Sequence, residues 1–207
     1  MNRTKIMTAL FNLLKTAGTR RFLADSQDGS AVLTNASSTA GLVPGLPAFG
    51  PGVQAGTAVA NFDSSTVTLT RPIKGSSIQA WFNTGFQTVG RGLQMLAETT
   101  AMPALFVCAA HDRYAPRATR MPPKVTLGAE AWIYATSGYA PHVPHEDALN
   151  PMIDAIESLL LPLPPTEAIT LGGLVTHCWP EPEIERWLAR IEGPAIAIVP
   201  IKMLVPL

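Results

Sequence analysis

In Val125-Thr-Leu-Gly-Ala-Glu-Ala-Trp-Ile-Tyr134, the side chains of Val125, Leu127, Ala129, Ala131 and Ile133 fall on one side of an extended backbone, and those of Thr126, Glu130, Trp132 and Tyr134 on the other. A period of two over so many residues describes a long half-buried strand, which needs partners on both edges and a layer on its apolar face. Candidate partners lie on either side in the chain. Upstream, Ala104-Leu-Phe-Val-Cys-Ala109 is a continuous apolar run short enough for a buried strand, and Phe86-Gln-Thr-Val-Gly90 reads as another. Leu93-Gln-Met-Leu-Ala97 reads as a turn or short helix, and Pro116, Pro122 and Pro123 fix the course of a loop from His111 to Pro123. Downstream, strands are expected from Leu171 to Trp179 and from Ala195-Ile-Ala-Ile-Val199 on to Val205. Around Ile184 the spacing of Ile184, Trp187, Leu188 and Ile191 fits a helix as well as a strand, and we assign a strand.

Two helices complete the pattern. Asn150-Pro151 is a helix start with a mechanism, since Asn caps free amide groups and Pro at the first helical position loses no hydrogen bond. Met152, Ile153, Ile156, Leu159 and Leu160 then form one apolar stripe until Pro162 stops the helix. Near the start, Ile6, Leu10, Leu13 and Leu14 recur at helical intervals, with Asn12 and Lys15 between them and Gly18 as terminator. Arg3 and Lys5 before an apolar run imitate a signal peptide, but this amphipathic spacing favours a surface helix. No run of some 18 apolar residues occurs, so a soluble protein is expected.

Between the first helix and the strands, the composition shifts. Residues 24–83 are rich in Ser, Thr, Gly, Ala and Pro, as in Asn35-Ala-Ser-Ser-Thr-Ala-Gly41 and Gly45-Leu-Pro-Ala-Phe-Gly-Pro-Gly52. Only Ser65-Thr-Val-Thr-Leu-Thr70 alternates regularly. The segment reads as an insertion of loops and short strands forming one or two hairpins, the alternative being a long disordered loop whose side chains are too small for a core of their own. Residues 1–207 are otherwise taken as a single α+β domain.

The 207 residues carry 15 basic and 15 acidic side chains and are 47% hydrophobic, which is ample for a sizeable core and unlike a generic nucleic-acid binder with its basic excess. The neutrality is a cancellation. Residues 1–97 hold 8 basic and 3 acidic side chains, and residues 98–207 hold 7 basic and 12 acidic. Opposed halves can stack or close a ring through complementary faces, unless folding mixes the charges. Cys108 and Cys178 are too few for a disulfide framework and sit in apolar runs, as buried reduced thiols do in a cytosolic protein.

Catalytic chemistry finds little support in the pattern. Cys108 with His111, His142 with His145, and His177 with Cys178 are close pairs of possible zinc ligands, yet neighbours on a strand face opposite ways and cannot share one tetrahedral ion. No Gly-x-Ser-x-Gly elbow occurs, Asp112 is a turn residue, and Gly41, Gly45 and Gly50 lack the spacing of a phosphate-binding loop. Glu181, Glu183 and Glu185 alternate like the solvated face of an edge strand. No catalytic residue, metal or cofactor is expected. A basic loop remains: Arg113, Arg117, Arg120 and Lys124, with Tyr114 among them, read either as a docking loop for an acidic surface or passing nucleic acid, or as an ordinary solvated connection.

Taken together, the opening helix and the blocks Pro103-Ala-Leu-Phe-Val107, Pro123-Lys-Val-Thr-Leu127, Glu130-Ala-Trp-Ile-Tyr134, Leu149-Asn-Pro-Met-Ile-Asp-Ala-Ile156, Leu171-Gly-Gly-Leu-Val-Thr-His-Cys-Trp179 and Ala195-Ile-Ala-Ile-Val-Pro-Ile201 resemble, in order and spacing, the tail-terminator (tail completion) family of long-tailed bacteriophages. The resemblance covers residues 1–18 and about 85–207. It implies an α+β subunit with a small mixed, mostly antiparallel sheet flanked by two main helices, and no enzymatic activity. It also implies a homohexameric ring at the head-proximal end of the virion tail, assembled in the host cytoplasm. Such a ring caps the tail tube protein, receives the neck or head-completion protein, and lets DNA pass without sequence-specific binding, with no membrane partner. Residues 24–83 depart from the family, where a short connection is usual. For such a ring, Trp132, Tyr134 and Trp179 are the candidate inter-subunit aromatics, with core packing as their other reading, and the loop Arg113, Tyr114, Arg117, Arg120 and Lys124 is the candidate tube or ring contact. The rivals are a head-side neck or adaptor protein and a zinc or cysteine hydrolase built on Cys108, His111 and Cys178.

Overall fold

A computed structural model describes residues 2–40, 42–54, 57–99, 101–114, 124–135, 145–161, 168–187 and 194–206. The chain opens with α1 (Arg3–Leu14), whose N-terminus is capped by the Asn2 side chain accepting from the Lys5 amide at 3.0 Å. Ile6, Met7, Leu10 and Leu14 are buried while Thr4, Lys5 and Asn12 are exposed, so this is an amphipathic helix with one face in the core, as its spacing predicts. Gly18 ends the following turn at φ 60°, a conformation that costs a side-chain-bearing residue; a Cβ there would also lie 2.7 Å from Leu46 Cδ2.

Six strands follow: β1 (Arg20–Ser26), β2 (Val32–Leu33), β3 (Ala48–Phe49), β4 (Val59–Phe62), β5 (Val67–Leu69) and β6 (Ser77–Thr84). They form two small sheets, β1-β6-β3 and β2-β5-β4, antiparallel throughout. Between them lies a separate core that includes Phe22, Leu33, Leu42, Val59, Val67, Leu69, Ile73 and Phe82, with Phe22 and Phe82 stacked at 6.1 Å. The disordered-loop alternative is thereby overturned. Small residues predominate, but the few large ones converge from strands far apart in sequence, and the insertion runs from β1 to β6, slightly wider than residues 24–83.

The second half contains β7 (Thr88–Arg91), a 3-10 turn (Leu96–Glu98), β8 (Ala104–Ala109), β9 (Arg113–Tyr114), β10 (Lys124–Ala135), α2 (His145–Leu160), β11 (His177–Pro180), β12 (Glu185–Trp187) and β13 (Ala195–Pro206). They build one sheet in the order β11-β13-β10-β8-β7, with β12 also on β13 and β9 also on β10. All pairs are antiparallel except β7 with β8. The fold is α+β, and the sheet is mixed as expected, but with seven strands it is larger than the small sheet the resemblance implied. Its spine is β10 against β13, paired from Lys124↔Pro206 to Ala135↔Ala195.

The alternation along β10 holds. Val125, Leu127, Ala129, Ala131 and Ile133 face a core shared with Ala197, Val199, Ile201 and Met203 of β13, with Leu10 and Leu14 of α1 and with Met152 and Ile156 of α2. Both helices therefore cover the same face of the sheet. Pro200 is tolerated within β13 because its carbonyl accepts from the Glu181 amide at 2.7 Å, so its missing N–H points the same way, toward the gap between β11 and β12, and β10 loses no bond.

Several local expectations need correction. Asn150 is not a cap, since α2 begins at His145 and carries Pro151 in its interior. Leu149, one residue before the expected cap, is fully buried, and Pro151 packs on the insertion, where a Cβ on Gly45 would lie 2.7 Å from Pro151 Cγ. Tertiary packing thus outweighs the lost helical bond. The strand expected from Leu171 is confined to His177–Pro180, because Leu171, Gly172 and Gly173 all adopt positive φ and form a turn. β7 lies two residues later than Phe86, which is buried in the core instead. The segment near Ile184 is a strand, as assigned.

Candidate docking surfaces

The basic loop is placed in part. Arg113 and Tyr114 form β9, an exposed two-residue strand paired with Val125 and Thr126, and exposed Lys124 opens β10 beside it. Arg117 and Arg120 lie outside the described residues. What the sequence did not reveal is the partner of this loop. Arg3 of α1 donates through Nε to Asp112 Oδ2 at 2.7 Å and through Nη2 to the Tyr114 hydroxyl. These bonds, Asp112 first, favour the charged guanidinium and push the Arg3 pKa above its ordinary value. Asp112 is therefore an ion-pair residue as well as a turn residue, and it ties the helix start to the loop. Arg3 and Asp112 are 109 positions apart, which no local pattern could show.

The expected aromatics separate into two kinds. Tyr134 is only 3% exposed, packs on Phe106 at 5.4 Å, and donates from its hydroxyl to the Gln94 carbonyl at 3.0 Å. It has no surface to offer a neighbour, which corrects its assignment as an inter-subunit anchor. Its core is a third cluster on the sheet face opposite the helices. Trp132 and Trp179 also occupy that face, by their alternation with Ile133 and with buried Cys178, and both are half-buried. Trp132 donates from Nε1 to Glu130 Oε2 at 2.9 Å and meets Trp187 edge-on at 5.9 Å, while Trp179 stacks on His177 at 5.4 Å.

Trp187 is the residue that sequence reading passed over. It pairs with Ile196 on the same face and is 53% exposed. Glu185 stands two residues away on that face, Glu183 is exposed, and Glu181 reaches Lys202 at 3.7 Å. Three of the four tryptophans thus line one face of the large sheet, with carboxylates beside them; among the described residues, Leu96 and Met102 pack over its far end.

The fourth tryptophan stands on the insertion. On the outer face of the β1–β6 ribbon, the Arg21 guanidinium lies 4.3 Å from the Trp81 ring centre. Trp81 is 48% exposed and Ile78 is 86% exposed. The register shifts between Ala24 and Ser26, so β6 carries an extra residue opposite Asp25, where Gln79 takes φ 49°. This bulge puts Ile78 on the outer face with Trp81.

The proposed metal and thiol chemistry is dispersed. Cys178 faces the helices and is fully buried, whereas Cys108 pairs with Glu130 on the opposite face, so the two sulfurs cannot share one ion. Burial pushes the Cys178 thiol up to about 12, and burial followed by the Glu130 charge raises Cys108. Neither is an activated nucleophile. His142 and the side chain of His145 lie outside the described residues, and among the described residues no group of three His, Cys, Asp or Glu could hold a metal. A shallow depression lined by Met7, Arg91, Leu93, Val107 and Cys108 is open to solvent, with Arg91 donating to Thr8 Oγ1 at 2.7 Å. Among the described residues no helix is long and apolar enough to cross a membrane. No known protein-family model matches the chain, and no curated protein matches it.

Proposed function

We propose that this chain is a non-enzymatic structural subunit of the tail-terminator kind, which forms a ring on the end of a phage tail tube, stops its elongation and presents a surface to the neck. The observation that carries the reading is spatial. The sequence blocks on which the resemblance rests fall on β8, β10, α2, β11 and β13, and these pack as one contiguous unit with α1 on the same face as α2. Blocks that are separate in sequence are thus joined in a single structural body, which supports reading them together.

The chemistry of the surfaces supports an assembly role. Exposed Trp187 beside half-buried Trp132 and nearby carboxylates, an exposed Arg21–Trp81 pair and a basic β9 corner are interface chemistry, since aromatic and Arg side chains combine contact area with directional bonds. In this reading Arg113, Tyr114 and Lys124 contact the tube or the adjoining ring. Adding purified chain to growing tail tubes tests it. Rings at the tube end and an arrested length distribution are expected. Binding to head-side portal rings with no effect on tubes would instead identify a neck adaptor.

A further inference from the structure

We infer that the insertion is a self-assembly arm: the outer face of its β1–β6 ribbon docks on the tryptophan face of the large sheet, around exposed Trp187, in a second copy of the chain. The inference rests on the ring reading and assigns the contact that the family resemblance leaves open, because residues 24–83 are the departure from it.

Both surfaces are apolar where a lone subunit has no use for it. Ile78 and Trp81 stand out from the ribbon, and Trp187 stands out from β12 beside Trp132. Exposed apolar patches with polar rims mark association sites. Their charges are opposite around the tryptophans, while Lys124 and Arg113 share the sheet face at its other end. The ribbon presents Arg21 over Trp81; its other nearby cation, Arg20, donates to the carbonyls of Ala40, Thr16 and Thr19. Asp25 lies on the same ribbon face, but its two oxygens accept from Asn35 and from the Gln79 amide. On the tryptophan face Glu185 is exposed, and Glu183, two residues before it, is exposed too, both without an ion pair among the described residues; Glu130 accepts from Trp132, and Glu181 pairs with Lys202. Arg186 on β12 alternates with Glu185 and Trp187 and so points to the other side.

A cation already seated on an indole is preorganised to meet carboxylates that flank other indoles. The two patches are different surfaces of one chain, so their contact is heterologous and propagates head to tail until the rotation closes. That is the geometry of a ring.

The experiment is a charge swap, read as self-association of the full chain by sedimentation over a concentration series. Arg21→Glu is expected to weaken association at least about tenfold, as is Glu183→Arg with Glu185→Arg. Combining all three is expected to restore most of the affinity. Trp81→Ala should weaken it without a charge change, and circular dichroism must show each variant folded. Unaltered association in Arg21→Glu, or failure of the combined variant to regain affinity over either parent, overturns the inference. If Arg21→Glu leaves self-association intact but abolishes tube binding, the ribbon's occupant is the tube protein, and the inference falls while the function stands. A wild-type chain that caps tubes yet never self-associates, on or off them, has the same consequence.

Discussion

Replacing Phe82 by Ala tests whether residues 20–84 are a folded unit with a core of their own. Phe82 is 1% exposed, lies opposite Phe22 in the β1–β6 register, and packs so closely on Gly50 that a Cβ there would come within 2.4 Å of its ring. Deleting a buried Phe costs about 3–5 kcal/mol, from lost transfer energy and the cavity left behind. The lost ring pair with Phe22 contributes about 0.5–1.5 kcal/mol of that. Collapse is limited because Leu33, Val67 and Ile73 approach from three different segments whose turns are fixed by backbone bonds, such as Ile73 N to the Ser30 carbonyl at 2.9 Å. A domain stable by some 5–15 kcal/mol loses much of its margin from such a change. Urea denaturation would measure the loss, and amide exchange would locate it. Protection should fall first in β1, β5 and β6 and persist in β10 and β13, whose core is separate. A loss under about 1 kcal/mol, or equal deprotection of both sheets, would refute the reasoning.

Four further expectations follow from the same geometry. Charge reversal at Arg113 and Lys124 should block tube capping while leaving the denaturation midpoint within about 0.5 kcal/mol of wild type, since both are exposed; unchanged capping removes the docking role of this corner. Tyr134→Phe should cost about 0.5–1.5 kcal/mol by deleting the hydrogen bond to Gln94, with no change in self-association; a weakened oligomer would return Tyr134 to the interface. Asp25 and Asp63 sit below the ordinary carboxylate pKa of 3.8, through hydrogen bonds led by Asn35 and Thr66 respectively. Their stabilisation is therefore fully present above about pH 4 and is lost as pH falls through the lowered values. Comparing wild type with Asp63→Asn across pH 2–6 should show the difference in stability only above that window. Finally, a thiol reagent at pH 8 should modify Cys108 well before Cys178, which is fully buried with its thiol raised to about 12; equal rates would contradict the packing of β11.

Local patterns were legible where a single element carried its own signal. The two-residue period of β10, the apolar run of β8 and the stripe after Pro151 each record a face buried against something, whatever that something is. The α2 start was misread for the same reason, because Asn150-Pro151 is a valid local cap and only the burial of Leu149 and the contact with Gly45 overrule it. The insertion was the hardest part. Phe22 and Phe82 lie 60 positions apart in register, so neither residue's neighbours announce the core they form. Site residues divide likewise. Arg113, Tyr114 and Lys124 were visible as a charge cluster, whereas Arg3 at Asp112, Arg21 on Trp81 and Trp187 beside Trp132 exist only through long-range pairing.

The central claim is that this chain caps a tube as a ring of copies, and the measurement that meets it most directly is the mass and position of the chain on purified tail tubes. A closed ring of six copies at the tube end and tubes that no longer lengthen are the expected result. A chain that stays monomeric and leaves tube growth unchanged would contradict it.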